Sequence, residues 1–153
     1  MKETVQNQLG LDHRNAAWLL DVMDREAALV RDAGDANIEL LHDVMLYMTK
    51  YPDAVHHRLE DLMFRSLLAR QPDTLDVLGR MFDEHQELSR SGGVFLDTLR
   101  HVVDGALVER QALFDAAHTY SSLLRTHMVY ENETVFPLAD ALLTEKDWVD
   151  VAA

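Results

Sequence analysis

Two long stripes of residues, stepping alternately by threes and fours, dominate the second half of the chain. One runs through Leu78, Phe82, His85, Ser89, Gly92, Leu96, Leu99 and Val103. The other runs through Leu113, Ala117, Tyr120, Leu124, His127, Glu131, Thr134, Leu138 and Ala141. This period marks one face of an α-helix. No segment alternates polar and apolar residues with period two over a useful length, so β-strands are not expected. Each stripe is broken at one place, and the residues that break it are ionisable.

Glycine and proline are scarce, with 6 and 3 copies in 153 residues, and they punctuate the helical pattern. A first helix is expected over 12–33, opened by Asp12 as N-cap and closed near Ala33-Gly34. Asp35 is placed to cap a second, which is disturbed at Tyr51-Pro52 and ends around Gln71-Pro72; proline suits the first turn of a restarted helix. A third spans about 73–103 and closes at Asp104-Gly105. A fourth covers about 108–142, loosened at Pro137. Thr144 and Asp147 have the spacing of a capping box for a short terminal helix. Long helices joined by short turns pack antiparallel, so the expected fold is all-α: an up-down-up-down antiparallel four-helix bundle with a short C-terminal helix. Residues 1–153 are read as one domain with its core at 11–142.

Composition narrows the function. The chain has 14 basic and 27 acidic residues, a formal charge of −13, which opposes binding to nucleic acid or anionic lipid. No cysteine is present, so disulfides, thiolate zinc sites, iron–sulfur clusters and cysteine nucleophiles are all excluded. No apolar run approaches the length of a membrane span, and the first 25 residues are too polar for a signal peptide, so a cytoplasmic location is expected. Against this background, 8 histidines stand beside three lysines, Lys2, Lys50 and Lys146.

Two histidines sit one helical turn before a glutamate: His56 with Glu60, and His127 with Glu131. That spacing puts both side chains on one face, where they can grip one metal ion or reach two neighbouring ones. Hairpin geometry tests the convergence independently, because residues equidistant from a turn lie at one height in antiparallel helices. The midpoint of positions 13 and 56 falls at Gly34-Asp35. That of the His56–Glu60 pair and His85 falls at Gln71-Pro72, and that of His85 and His127 beside Gly105. All three are turns already assigned from glycine and proline, so His13, His56, Glu60, His85, His127 and Glu131 are expected at one level of the bundle. His118 lies about 13 Å from His127 along the helix axis, and His42 and His101 lie toward the opposite end; no functional role is expected for these three. The seven methionines are read as core filler.

At these residues the chain resembles the hemerythrin-like (HHE cation-binding) domain family. The matching segments are LDHRN around His13, YPDAVHHRLEDLMF around His56 and Glu60, FDEHQEL around His85, and RTHMVYENETVFPLADAL around His127 and Glu131. The resemblance implies a non-heme di-iron centre ligated at His13, His56, Glu60, His85, His127 and Glu131. Hemerythrins proper carry a second histidine one turn after the third-helix ligand, where this chain has Ser89. They also end in HxxxxD, where this chain has Glu131 followed by Asn132. Some relatives use a residue directly after the HxxxE histidine, so His57 is a seventh candidate, with a supporting or surface histidine as its alternative.

Mixed imidazole and carboxylate ligands suit iron, with zinc or manganese as alternative metals. The expected cofactor is two iron ions joined by an oxo or hydroxo bridge, with Glu60 and Glu131 as bridging carboxylates. Phe82, Leu59, Leu124 and Phe136 are expected to keep the pocket dry, with Tyr120 and Tyr130 nearby. The leading function is a protein that binds or senses dioxygen, peroxide or nitric oxide. A di-iron oxidoreductase consuming peroxide or NO, and a metal-dependent regulatory or iron-handling module, are the alternatives. The expected partner is a small diatomic or peroxide ligand, with self-association into a homo-oligomer as a further candidate.

Overall fold

The computed structural model describes residues 1–52 and 54–153, and every regular element among them is helical. Helix α1 (Lys2–Arg31) is followed by α2 (Ile38–Tyr51), a π-helical turn (Pro52–His56) and α3 (His57–Arg70) in one stretch. A 3-10 turn (Pro72–Thr74) leads into α4 (Leu75–Val103). Helix α5 (Arg110–Tyr130), a second π-helical turn (Glu131–Val135) and α6 (Phe136–Leu142) form another stretch, and α7 (Glu145–Val151) ends the fold. The structure is therefore all-helical in five stretches. Helix α1 lies against α5 and α2, α4 lies against α2 and α5, and α7 packs on α3 and α1.

Two expected helix starts are corrected. Helix α1 begins ten residues before Asp12, which sits mid-helix with its side chain buried. A carboxylate there is stable because donors reach it from α2 and the π turn, a tertiary contact that local capping rules do not contain. The second helix is capped by Asn37, not Asp35; its side chain accepts from the Leu40 amide at 2.9 Å. At the other end of the chain Thr144 and Asp147 form the expected capping box.

The inward stripes are also corrected. On α4 the buried positions include Leu78, Met81, His85, Leu88, Gly92, Phe95, Leu96 and Leu99, whereas Ser89 and Val103 are exposed. On the last long stretch the stripe holds from Leu113 to Glu131 but then continues through Val135 and Ala139 instead of Thr134 and Leu138. The π turn accounts for the shift, since its i→i+5 hydrogen bonds insert one extra residue and move the buried face by one position. The two π turns end on His56 and begin on Glu131.

Two apolar clusters flank these turns. One joins Leu20, Met23, Met45, Phe95, Leu99 and Leu113 among others. The other holds Leu9, Phe64, Leu78, Val135 and Trp148 with their neighbours. Polar side chains occupy the level between them. Trp148 is 1 % exposed and ties α7 into the second cluster. Replacing Trp148 with Ala should cost about 3–5 kcal/mol of stability, measured by denaturant unfolding followed by far-UV circular dichroism.

Candidate metal centre

Glu60 and Glu131 lie at the middle of the fold, both 0 % exposed. Each offers one carboxylate oxygen to each of two groups of histidines. Glu60 Oε1 lies 3.1 Å from His56 Nε2 and 3.6 Å from His13 Nε2, while its Oε2 lies 3.4 Å from His85 Nε2. Glu131 Oε2 lies 3.3 Å from His13 Nε2, while its Oε1 lies 3.2 Å from His127 Nε2 and 3.7 Å from His85 Nε2. His13 Nε2 and His56 Nε2 face each other at 3.2 Å. The structure thus brings six of the expected positions to one level, from α1, both π-turn regions, α3, α4 and α5.

His57 joins them. Its ring stacks on His85 at 4.3 Å between centroids and meets His127 edge-on at 6.2 Å. Ligand atoms of His57, Glu60, His85 and His127 all lie within 4.8 Å of one another, and so do those of His13, His56, Glu60 and Glu131. Adjacent residues on a helix diverge by about 100°, yet His56 and His57 serve neighbouring groups, because the π turn ends between them. Ser89 is exposed on α4, in a groove of about 630 Å³ that it shares with His57 and His85. His42, paired with Asp43, and His118, stacked on Phe114, stand outside the cluster, and His101 is exposed.

The charges of the centre are interdependent. Burial opposes a charged His13, but Glu131 and Glu60 overcome it and raise its pKa to about 9. Burial is likewise outweighed at His56, pushed up to about 10 by Glu60 and Asp12, and at His85, pushed up to about 11 by Asp61, Glu131 and Glu60. Burial and the neighbouring Glu60 charge would raise Glu131, yet His127, His13 and His85 hold it down at about 2. Glu60 is also held well below the usual carboxylate range, against its burial, by His56, His13 and His85. Two carboxylates in so dry a site require positive charge at their centre.

Hydrogen bonding identifies where that charge belongs. All four oxygens of Glu60 and Glu131, with Nε2 of His85 and His127, are buried without a hydrogen-bond partner among the described residues. Leaving such atoms unsatisfied is costly. Two ligands set at right angles, each about 2.1 Å from a common ion, lie about 3 Å from one another, close to the separations found here. The residues therefore fit a metal cation.

The opposite ring nitrogen of His13, His56, His85 and His127 is held from outside, and these acceptors were not marked as such in the sequence. His56 Nδ1 contacts Asp12 Oδ2 at 3.2 Å and His85 Nδ1 contacts Asp61 Oδ1 at 3.1 Å. His127 Nδ1 contacts Glu84 Oε2 at 2.8 Å and His13 Nδ1 contacts Asn132 Oδ1 at 3.2 Å. Each acceptor adjoins a ligand candidate in sequence: Asp12 with His13, Asp61 with Glu60, Glu84 with His85, Asn132 with Glu131. That adjacency was the available signal. Holding Nδ1–H outward fixes the tautomer that turns Nε2 toward the centre. Phe136 stacks on His13 at 5.4 Å and Phe64 on His85 at 5.8 Å, covering the rings. Tyr120 reaches the Met48 carbonyl, and Tyr130 lies beneath Arg80.

Comparison with protein-family models matches residues 4–139 to the hemerythrin HHE cation binding domain. No curated protein and no solved structure matches the chain at a significant level. Substituting the outer acceptors, in Asp61→Asn or Glu84→Gln, should weaken metal binding by about 10–100-fold without unfolding the protein, measured by competition with a chelator alongside circular dichroism.

Proposed function

The chain belongs to the hemerythrin HHE cation-binding domain family, and we propose that it is a non-heme di-iron protein that binds or senses dioxygen, peroxide or nitric oxide. In this reading four long helical stretches act as an up-down-up-down bundle around the metal pair. His13 and His56 hold one ion, and His57, His85 and His127 hold the other. Glu60 and Glu131, each with one oxygen toward either histidine group, would hold both ions. When bound, a carboxylate-bridged iron pair supplies one-electron exchange and a coordination position for a small exogenous ligand. Zinc and manganese are the competing metals for the same donor types.

The observation that carries the reading is the uneven donor count of the two groups. His57, His85 and His127 with two carboxylate oxygens nearly complete a six-coordinate ion. His13 and His56 with two carboxylate oxygens leave one position more. A cavity of about 20 Å³ adjoins that less-filled side; His13, His56, Ala16, Met48 and Met128 line it together with Asp12, Tyr47, Tyr51, Pro52 and His127. A space that size suits a water-sized or diatomic molecule and is too small for an organic substrate. Asn132 and Asp12 keep the two imidazoles oriented as a ligand comes and goes.

Protein purified in air should contain about two irons per chain, since these ligands bind metal as one folded unit. Zinc alone, found by elemental analysis, would overturn the di-iron reading. His57→Ala should lose iron from the three-histidine side, leaving about one ion per chain; two retained irons would remove His57 from the ligand set. Azide or peroxide should change the visible spectrum of the iron-loaded protein, as an open coordination position requires.

A further inference from the structure

Of His13, His56, His85 and His127, one leads through its outer contact to an oxidisable side chain. Behind His127, Glu84 continues to Arg80 Nε at 2.7 Å, and that guanidinium lies 4.4 Å above the Tyr130 ring. That contact is with the ring face, and it offers the Tyr130 hydroxyl no carboxylate to take its proton. Behind His56 the arrangement differs. Asp12 accepts from His56 Nδ1 on Oδ2 and from the Tyr51 hydroxyl on Oδ1, each at 3.2 Å. Gln8 Nε2 donates to both Asp12 Oδ1, at 2.8 Å, and Tyr51 Oη, at 3.3 Å, locking the group together. The Tyr51 ring then lies on Tyr47, 5.3 Å away with 8° between planes. Tyr47 is 41 % exposed, while His56 and Asp12 are buried. Phenol, carboxylate and imidazole thus form one hydrogen-bonded line from solvent to the open side of the centre.

We propose that Tyr51 and Tyr47 form a one-electron relay between the metal centre and the protein surface, with Asp12 receiving the phenolic proton. The proposal rests on the iron reading above and deepens it, because it gives the site a way to turn over a peroxide. Phenol is oxidised readily only when its proton leaves with the electron, and Tyr51 already donates that proton to Asp12. Tyr51 gives one electron to the peroxide-oxidised iron pair and its proton to Asp12, leaving a neutral phenoxyl radical. Tyr47 then gives its electron to Tyr51, which takes its proton back from Asp12, while the Tyr47 proton passes to water. A one-electron donor of the enediol class, such as ascorbate, supplies an electron, and water returns the proton, to restore Tyr47. Two such passages deliver two electrons, and the two protons that the enediol releases to water as it is oxidised complete the conversion of one hydrogen peroxide to two waters.

The test is freeze-quench electron paramagnetic resonance of the iron-loaded protein mixed with hydrogen peroxide. The expected result is a tyrosyl radical whose hyperfine pattern narrows when the protein carries ring-deuterated tyrosine. Tyr51→Phe should abolish that signal at unchanged iron content. Tyr47→Phe should prolong it and slow its quenching by added ascorbate. Tyr130→Phe should leave it unaltered. A spectrum in which the iron responds to peroxide but no tyrosyl signal forms would overturn the relay and leave the iron reading standing. So would a signal that survives Tyr51→Phe. A protein that binds no iron would overturn both.

Discussion

The structure depends on two carboxylates placed where no water can reach them. Glu60 and Glu131 stand between two apolar clusters, and a buried anion there is tolerable only beside compensating positive charge. Five imidazoles surround them, delivered by separate stretches of the chain. Without metal, that charge is protons shared among histidines, which is why His13, His56 and His85 hold theirs so far above the ordinary range. The same atoms are the ones proposed to ligate metal. The centre thus couples metal binding to the mutual position of the long helices, because no pair of helices alone contains a full ligand set.

Around the ligand candidates lies a set of acceptors that orient them. Asp12, Asp61, Glu84 and Asn132 each belong to one helical stretch and hold a histidine of another. These contacts cross between helices at the level where the apolar packing is interrupted, so they replace hydrophobic contact there with directed hydrogen bonds. Asp12 is buried, and Asp61 and Glu84 are only partly exposed. Part of the formal −13 is therefore internal scaffolding for the metal site, not solvated exterior.

The π turns connect sequence irregularity to chemistry. Pro52 and Pro137 both sit beside a local change of helical hydrogen bonding, and each change falls at a ligand candidate. The extra residue lets His56 and His57 face adjacent groups and carries the buried face from Glu131 to Val135. A strict three–four reading of the sequence therefore fails one turn beyond Glu131. It selects Thr134 and Leu138 where Val135 and Ala139 are the buried residues, because it lacks the additional residue in the turn. The same departure explains how the chain places a histidine from α3 beside His85 while Ser89 stays at the surface.

The sequence by itself determined the helical class, the turns at Gly34, Gln71-Pro72 and Gly105, and the common level of the six histidine and glutamate positions. Periodicity and antiparallel symmetry are local rules that a chain must obey before it packs. The tertiary structure alone decided the role of Asp12, the register after each π turn, the apposition of His57 to His85, and the line from His56 through Asp12 to Tyr51. Each of these joins residues distant along the chain, or depends on a hydrogen-bond pattern that buried neighbours select, and neither is encoded in the spacing of residues within one helix.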